Sequence, residues 1–147
     1  IKKNTKYTAF SQKMFMYKLN LQNLNETNWI GSKLVLKKNI SSMQNLRDLK
    51  FKKYPFWRVD KYNLQIINGG WHFSFLQSPV SIAEKIKSYS HGEYNTKKLT
   101  DVKSIEYKIK NNLDIFDRGY DLKKVLIDGS FPEYISNNKD KLANWII

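Results

Sequence analysis

The chain has 147 residues, which is enough to bury a core within one domain or within part of a larger one. Hydrophobic residues make up 41% of the chain and aromatic residues 14%, a composition that argues against disorder. No apolar run approaches the length of a membrane span, and the first ten residues lack the apolar centre of a signal peptide. The absence of cysteine excludes disulfide bonds and thiolate metal sites.

The net charge of +13 is unevenly distributed along the chain. Residues 1–61 contain 14 basic and 3 acidic residues, whereas residues 62–147 contain 12 basic and 10 acidic residues. This asymmetry indicates an anionic partner for the first part, such as a nucleic acid, phospholipid head groups or a nucleotide diphosphate. The codon bias of an AT-rich genome, which enriches lysine, asparagine and isoleucine together, would produce the same composition.

The first predicted element, residues 8–20, is ambiguous between helix and strand. Phe10, Met14 and Tyr17 recur at helical spacing on one face, which favours a helix. The apolar run that begins at Phe15 is equally compatible with the start of a strand.

Two further elements follow in the first half of the chain. Residues 28–36 are rich in apolar and β-branched side chains and predict a strand after a turn. Ser41 or Ser42 then caps a short basic helix that continues to about Lys50.

The middle of the chain predicts two strands separated by a glycine turn. Residues 62–67 form the first strand, which ends at the turn signal of Asn68, Gly69 and Gly70. Residues 71–76 alternate in character, so a strand here places His72 and Ser74 on the face opposite the aromatic side chains.

The second half predicts mainly helices. Ser78 with Pro79 starts a helix that ends near residues 91–92, and Ser81 and Glu84 have capping-box spacing. Thr100 caps another helix, with Asp101 in its first turn. A loop at 114–121, a short strand or helix at 122–129 and a closing helix at 132–146 complete a mixed α/β domain, a sheet flanked by helices.

The two histidines of the chain, His72 and His91, are the first candidates for chemistry. His72 and Ser74 suggest nucleophilic catalysis, but no third residue stands at a spacing that would orient the imidazole. His72, His91 and Glu93 would supply three ligands to a metal ion, although structural histidines explain the same residues. Glu93 follows Gly92, where a carboxylate facing a cleft can act as general base; a solvated loop acid is the alternative.

Two other segments carry candidate chemistry. Asp114 and Asp117 have a spacing that would suit a divalent ion, but an ion pair of Asp117 with Arg118 or Lys110 is an equal alternative. Residues 47–58 combine basic and aromatic side chains that would suit nucleic acid, but they match no reader motif.

Four strings in order resemble one enzyme family: "GGWHFSFL" from residue 69, "KIKSYSHGEYN" from 85, "DIFDRG" from 114 and "PEYISNN" from 132. Over roughly residues 8–140 the chain resembles the C-terminal half of glycosyltransferase family 17, the β-1,4-mannosyl-glycoprotein 4-β-N-acetylglucosaminyltransferases. The resemblance implies a fold of the GT-A type and inverting transfer of a sugar, expected to be N-acetylglucosamine, from a UDP-sugar to a glycan hydroxyl. It also implies a divalent cofactor, usually Mn²⁺, against the diphosphate.

The resemblance also assigns roles to residues. Glu93 is the expected base, and His91 the expected metal ligand. The residues expected to bind substrate are Gly69, Gly70, Trp71, His72, Ser74 and Arg118, with Trp71 stacking on a sugar face. Family members carry an upstream Asp-x-Asp motif that this chain lacks, so we expect residues 1–147 to be one partial domain without the nucleotide-sugar-binding part.

The resemblance predicts a UDP-sugar and a glycan as partners. The lysine- and asparagine-rich composition predicts a cytoplasmic bacterial or viral protein, whereas a eukaryotic fragment would belong to the Golgi. The alternative function is a non-enzymatic basic module, centred on residues 1–61, that binds nucleic acid or another polyanion.

Overall fold

A computed structural model describes residues 6–49, 57, 64–88 and 96–147. The chain divides into two compact units, one of residues 1–13 and 28–71 and the other of residues 14–27 and 72–147. Two long strands, β1 (Tyr7–Met16) and β4 (Leu64–Ser74), contribute residues to both units. The predicted class, a small α/β protein with an open sheet and helices, is confirmed at this level.

In the first unit, β3 (Lys33–Val35) pairs antiparallel with the start of β1, with Tyr7 opposite Val35. The helix α1 (Met43–Asp48) begins after Ser42, whose hydroxyl accepts a hydrogen bond from the backbone N–H of Asn45 at 3.0 Å. Ser42 is therefore the cap, one of the two predicted serines, and it satisfies a donor that the first helical turn leaves unpaired.

Of the two alternatives for residues 8–20, the helix is wrong and the strand is the correct kind of element, although β1 begins at Tyr7 and not at Phe15. The last residues of β1 pair antiparallel with β2 (Leu21–Asn23), and β2 pairs in turn with β5 (Leu122–Lys124). Tyr17, counted on the predicted helical face, instead follows the strand in a left-handed conformation with φ 65°. Non-local pairing on β1 outweighs the short-range spacing of its apolar residues.

The predicted turn at residues 68–70 is also wrong, since β4 continues through both glycines. A Cβ atom at Gly69 would lie 3.2 Å from the Phe10 ring, and one at Gly70 would lie 3.3 Å from Gln12 Nε2. Gly70 also has φ 89°, a conformation that side chains with a Cβ rarely adopt. The glycines thus allow close approach to side chains of β1 within a strand.

In the second unit, the Phe15 ring packs against Phe73 and Phe131, with ring centroids 5.4 and 5.2 Å apart. The helix α2 (Pro79–Lys87) is capped by Ser78, which accepts a hydrogen bond from the backbone of Ser81, as predicted. Ser81 therefore donates to the cap and does not form a capping box with Glu84. The helix buries Ile82, Ala83 and Ile86.

The remaining helices differ in their ends from the prediction. Thr96 caps α3 (Lys97–Thr100), and Asp101, not Thr100, caps α4 (Val102–Lys110) by accepting from the Ser104 backbone at 2.8 Å. The predicted closing helix is divided into α5 (Glu133–Asn137) and a 3-10 turn (Ala143–Trp145). Within the described ranges, no helix has the length and apolarity needed to cross a bilayer.

Candidate functional site

Five of the six residues predicted to bind substrate, all except Arg118, lie on β4. Gly69, Gly70 and Trp71 belong to the first unit, where the Trp71 carbonyl accepts a hydrogen bond from Gln12 Nε2 at 3.3 Å. His72 and Ser74 belong to the second unit and are half-buried, as Trp71 is. These side chains are therefore partly exposed to solvent, and a contact with substrate requires such exposure.

His72 lies in a basic environment. Burial and then the positive charge of Lys85 on α2 lower the pKa of His72 below its ordinary value of 6.5. The Lys85 ammonium also lies 4.7 Å from the centre of the Phe75 ring, near the end of β4. At neutral pH this arrangement places a neutral imidazole near a cation, a combination suited to an anionic ligand such as a diphosphate. The sequence did not indicate a role for Lys85.

Replacement of Lys85 with methionine is expected to raise the pKa of His72 toward 6.5 without reaching it, because the burial of the imidazole remains. The measurement is a pH titration of the imidazole signals by NMR, with His72→Gln to assign them. Lys87→Met, at an exposed position on the same helix, is the matched control and should leave the titration unchanged. Equal shifts in the two variants would contradict the assignment of this cation.

Arg118 is held by a buried carboxylate. Its Nε and one terminal nitrogen donate to the two oxygens of Asp114 at 2.9 and 2.8 Å, and its backbone N–H donates to Asp114 Oδ2 at 2.8 Å. Asp114 also accepts from the Phe116 backbone. The guanidinium lies 4.1 Å from the centre of the Tyr120 ring and 4.7 Å from that of Phe116. Two-point pairing and ring contacts fix its orientation.

The pKa of Asp114 reflects two opposing effects. Burial favours the neutral acid, but the hydrogen bonds from Arg118 outweigh it and hold the pKa below its ordinary value. Asp114 is thus ionised in the folded protein, and its carboxylate accepts hydrogen bonds from the loop that follows it. This geometry gives Arg118 a structural role and leaves its predicted contact with substrate as a prediction.

Asp117 pairs with neither of the predicted partners, Arg118 and Lys110. Its carboxylate binds Lys108 at 2.7 Å and Lys98 at 2.8 Å. The hydrogen bonds from these lysines, Lys108 first, lower the pKa of Asp117 to about 2. Both carboxylates of the "DIFD" string are therefore engaged by cationic side chains, so they do not fit a divalent-ion site.

Tyr17 connects β1 to the same loop and was missed as a site-forming residue. Its hydroxyl accepts a hydrogen bond from the Ile115 backbone at 3.1 Å, and the side chain is fully buried. Burial raises the pKa of Tyr17 well above its ordinary value of 10. No spacing signal in the sequence indicates this contact, because the partners are 98 positions apart.

The predicted metal site and base fall largely outside the described residues. His91, Gly92 and Glu93 are not among them, so their proximity to His72 stays a prediction. Among the residues that are described, no three histidine, aspartate or glutamate side chains come together to hold a metal ion. The described residues alone thus do not supply the ligand set that the expected Mn²⁺ needs.

A cleft of about 530 Å³ lies in the second unit, a volume typical of ligand pockets. Its lining combines the apolar surfaces of Pro79, Ile109 and Trp145 with the charged side chains of Glu106 and Lys110. Apolar faces beside hydrogen-bonding groups suit a carbohydrate, which presents both kinds of surface.

Comparison of the chain with protein-family models, with curated proteins and with solved structures found no significant match. The family resemblance therefore stays a prediction that depends on the four sequence strings.

Proposed function

We propose that this chain is the acceptor-side part of an inverting glycosyltransferase, which transfers a sugar from a UDP-sugar to a glycan hydroxyl. The expected sugar is N-acetylglucosamine. The observation that carries the proposal is the placement of the "GGWHFS" string within one strand, β4, whose Trp71, His72 and Ser74 side chains are half-buried. A half-buried, neutral imidazole on a strand, beside a cation, has the groups needed to contact a diphosphate.

The path of the chain after β4 also supports the proposal. Lys85 influences His72 and contacts Phe75, so the last turn of α2 lies near the end of β4. The Lys85 cation of α2 and the His72 imidazole of β4 are therefore close enough to act on one anionic ligand, as the proposal requires.

In the proposed reaction, Glu93 accepts the proton of the acceptor hydroxyl while the hydroxyl oxygen attacks the anomeric carbon. The bond between that carbon and the diphosphate oxygen breaks, and the electron pair leaves with UDP. Attack from the face opposite UDP inverts the anomeric configuration. A bound divalent cation would offset charge on the departing diphosphate.

The test is release of UDP from UDP-N-acetylglucosamine in the presence of Mn²⁺ and N-glycan oligosaccharides, measured on the protein as its gene encodes it. Glu93→Gln is expected to lower turnover by about 10²- to 10⁴-fold, because the variant has no proton acceptor, while the affinity for UDP is unchanged. Glu84→Gln, at an exposed position of α2, is the matched control and should retain full turnover.

The possible failures of this test differ in what they contradict. Full turnover in Glu93→Gln would refute the assignment of the base and leave the reaction class intact. If the unsubstituted protein neither releases nor binds UDP, the assignment of the protein as a glycosyltransferase would be refuted.

A further inference from the structure

Residues 34–43 of the first unit, here called the 34–43 segment, expose large apolar side chains. Leu36 is 60% exposed and Met43 is 61% exposed, and Leu34 and Ile40 are exposed as well. Single apolar residues on a surface are ordinary, but four large ones within ten positions make this segment a candidate interaction surface.

The backbone around this segment is anchored, so the exposure is built into the structure. The Tyr7 hydroxyl donates to the Asn39 carbonyl at 3.2 Å. The Lys33 ammonium donates to the carbonyls of Leu46 and Arg47 at the end of α1, at 2.8 and 2.7 Å. These bonds hold the backbone on both sides of the exposed aliphatic side chains.

The 34–43 segment itself carries only positive charge, and the nearest acidic residue of α1 is Asp48 at its end. Residues 27–47 contain no aspartate or glutamate. Lys37 and Lys38 are exposed within the 34–43 segment, and Arg47 is exposed at the end of α1. The exposed surface therefore combines aliphatic and cationic side chains, which complements a partner with an apolar interior and a negatively charged face.

We propose that the 34–43 segment binds the surface of a bilayer that contains anionic lipids. Its aliphatic side chains enter the boundary between head groups and acyl chains, and Lys37 and Lys38 contact lipid phosphates. A nucleic acid fits less well, because leucine, isoleucine and methionine do not stack on bases as aromatic side chains do. The proposal is independent of the glycosyltransferase assignment, and its test needs no UDP-sugar.

The test is co-sedimentation of the protein with vesicles of phosphatidylcholine alone or mixed with phosphatidylserine. We expect binding to the mixed vesicles that weakens with added salt. Lys37→Gln/Lys38→Gln should lower the affinity about tenfold or more, since each lysine near an anionic surface contributes about 1 kcal/mol. Leu36→Gln/Met43→Gln should lower it by a similar factor through loss of apolar insertion.

Matched controls come from the second unit. Lys123→Gln/Lys124→Gln removes two exposed lysines of β5, and Leu126→Gln removes an aliphatic side chain that is 85% exposed. Both should bind the vesicles like the unsubstituted protein, and circular dichroism should show that every variant is folded.

Four results would overturn the proposal. One is equal binding to vesicles with and without phosphatidylserine, and another is equal loss in the control variants. The third is a dimer in light scattering that only Leu36→Gln/Met43→Gln dissociates, which would assign the surface to a second copy. Tight binding of an RNA or DNA oligomer that both segment variants abolish, without vesicle binding, would assign it to nucleic acid.

Discussion

Replacement of Asp114 with asparagine is expected to lower the free energy of unfolding by about 3 kcal/mol. Asp114 is buried and accepts four hydrogen bonds, two from the Arg118 guanidinium and one each from the Arg118 and Phe116 backbones. The neutral amide leaves the guanidinium without its counter-charge and replaces one acceptor oxygen with a donor. Urea denaturation at neutral pH measures the loss.

The pH dependence separates this carboxylate from a general packing effect. Because the pKa of Asp114 in the folded protein lies below its ordinary value of 3.8, its contribution is present above that pH. The contribution is lost as the pH falls below about 4. The stability difference between the unsubstituted protein and Asp114→Asn should therefore narrow with acid. A difference that stays constant from pH 7 to pH 3 would contradict the charge-based explanation.

Asp117→Asn is the matched control three residues further on. Asp117 is nearly half exposed, and surface ion pairs stabilise proteins little. Its backbone has φ 54°, a conformation that asparagine tolerates well, so the substitution removes charge without adding strain. We expect a much smaller loss than for Asp114→Asn.

Replacement of Tyr17 with phenylalanine is expected to lower the free energy of unfolding by about 2 kcal/mol. The substitution keeps the ring, which lies 6.3 Å from that of Phe75, but removes the acceptor for the Ile115 backbone N–H. A buried donor without a partner costs its full desolvation penalty. Amide hydrogen exchange at Ile115 should also accelerate, which ties the loss to this bond.

The dependence of stability on pH above 10 provides a second test of Tyr17. Burial raises the pKa of Tyr17 in the folded protein, so its contribution is full below pH 10 and is lost as the pH rises above that value. Between pH 10 and pH 11, the free energy of unfolding of Tyr17→Phe should therefore decline less than that of the unsubstituted protein. Tyr107→Phe, at an exposed position, is the control and should match the unsubstituted protein in both measurements.

Helix starts were the features most accessible from the sequence. Ser42 and Ser78 each cap a helix by accepting a hydrogen bond from a backbone N–H three residues ahead. A contact between near neighbours needs only the right residue types in order, so a short string predicts it. The same reasoning failed by one residue at Thr100, because Asp101 is an equally good cap and the structure uses it.

Strand pairing was not accessible in the same way. The apolar spacing of β1 matched a helix, and the glycine pair of β4 matched a turn, yet both stretches are strands whose partners are distant in the chain. The energy of strand pairing and the close approach of neighbouring side chains decide such cases, and neither can be predicted from a short stretch of sequence.

The amino-acid sequence by itself determined the α/β class, the caps of α1 and α2, the uneven charge and the order of the four strings on which the proposed function depends. Only the tertiary structure decided that Asp114 holds Arg118, that Asp117 holds two lysines and that Lys85 lies near His72. The reason is physical: capping and composition act over a few residues. Ion pairs and pKa shifts instead depend on the conformation that the folded loop after Asp114 adopts and on distances that folding sets between separate elements, such as α2 and β4.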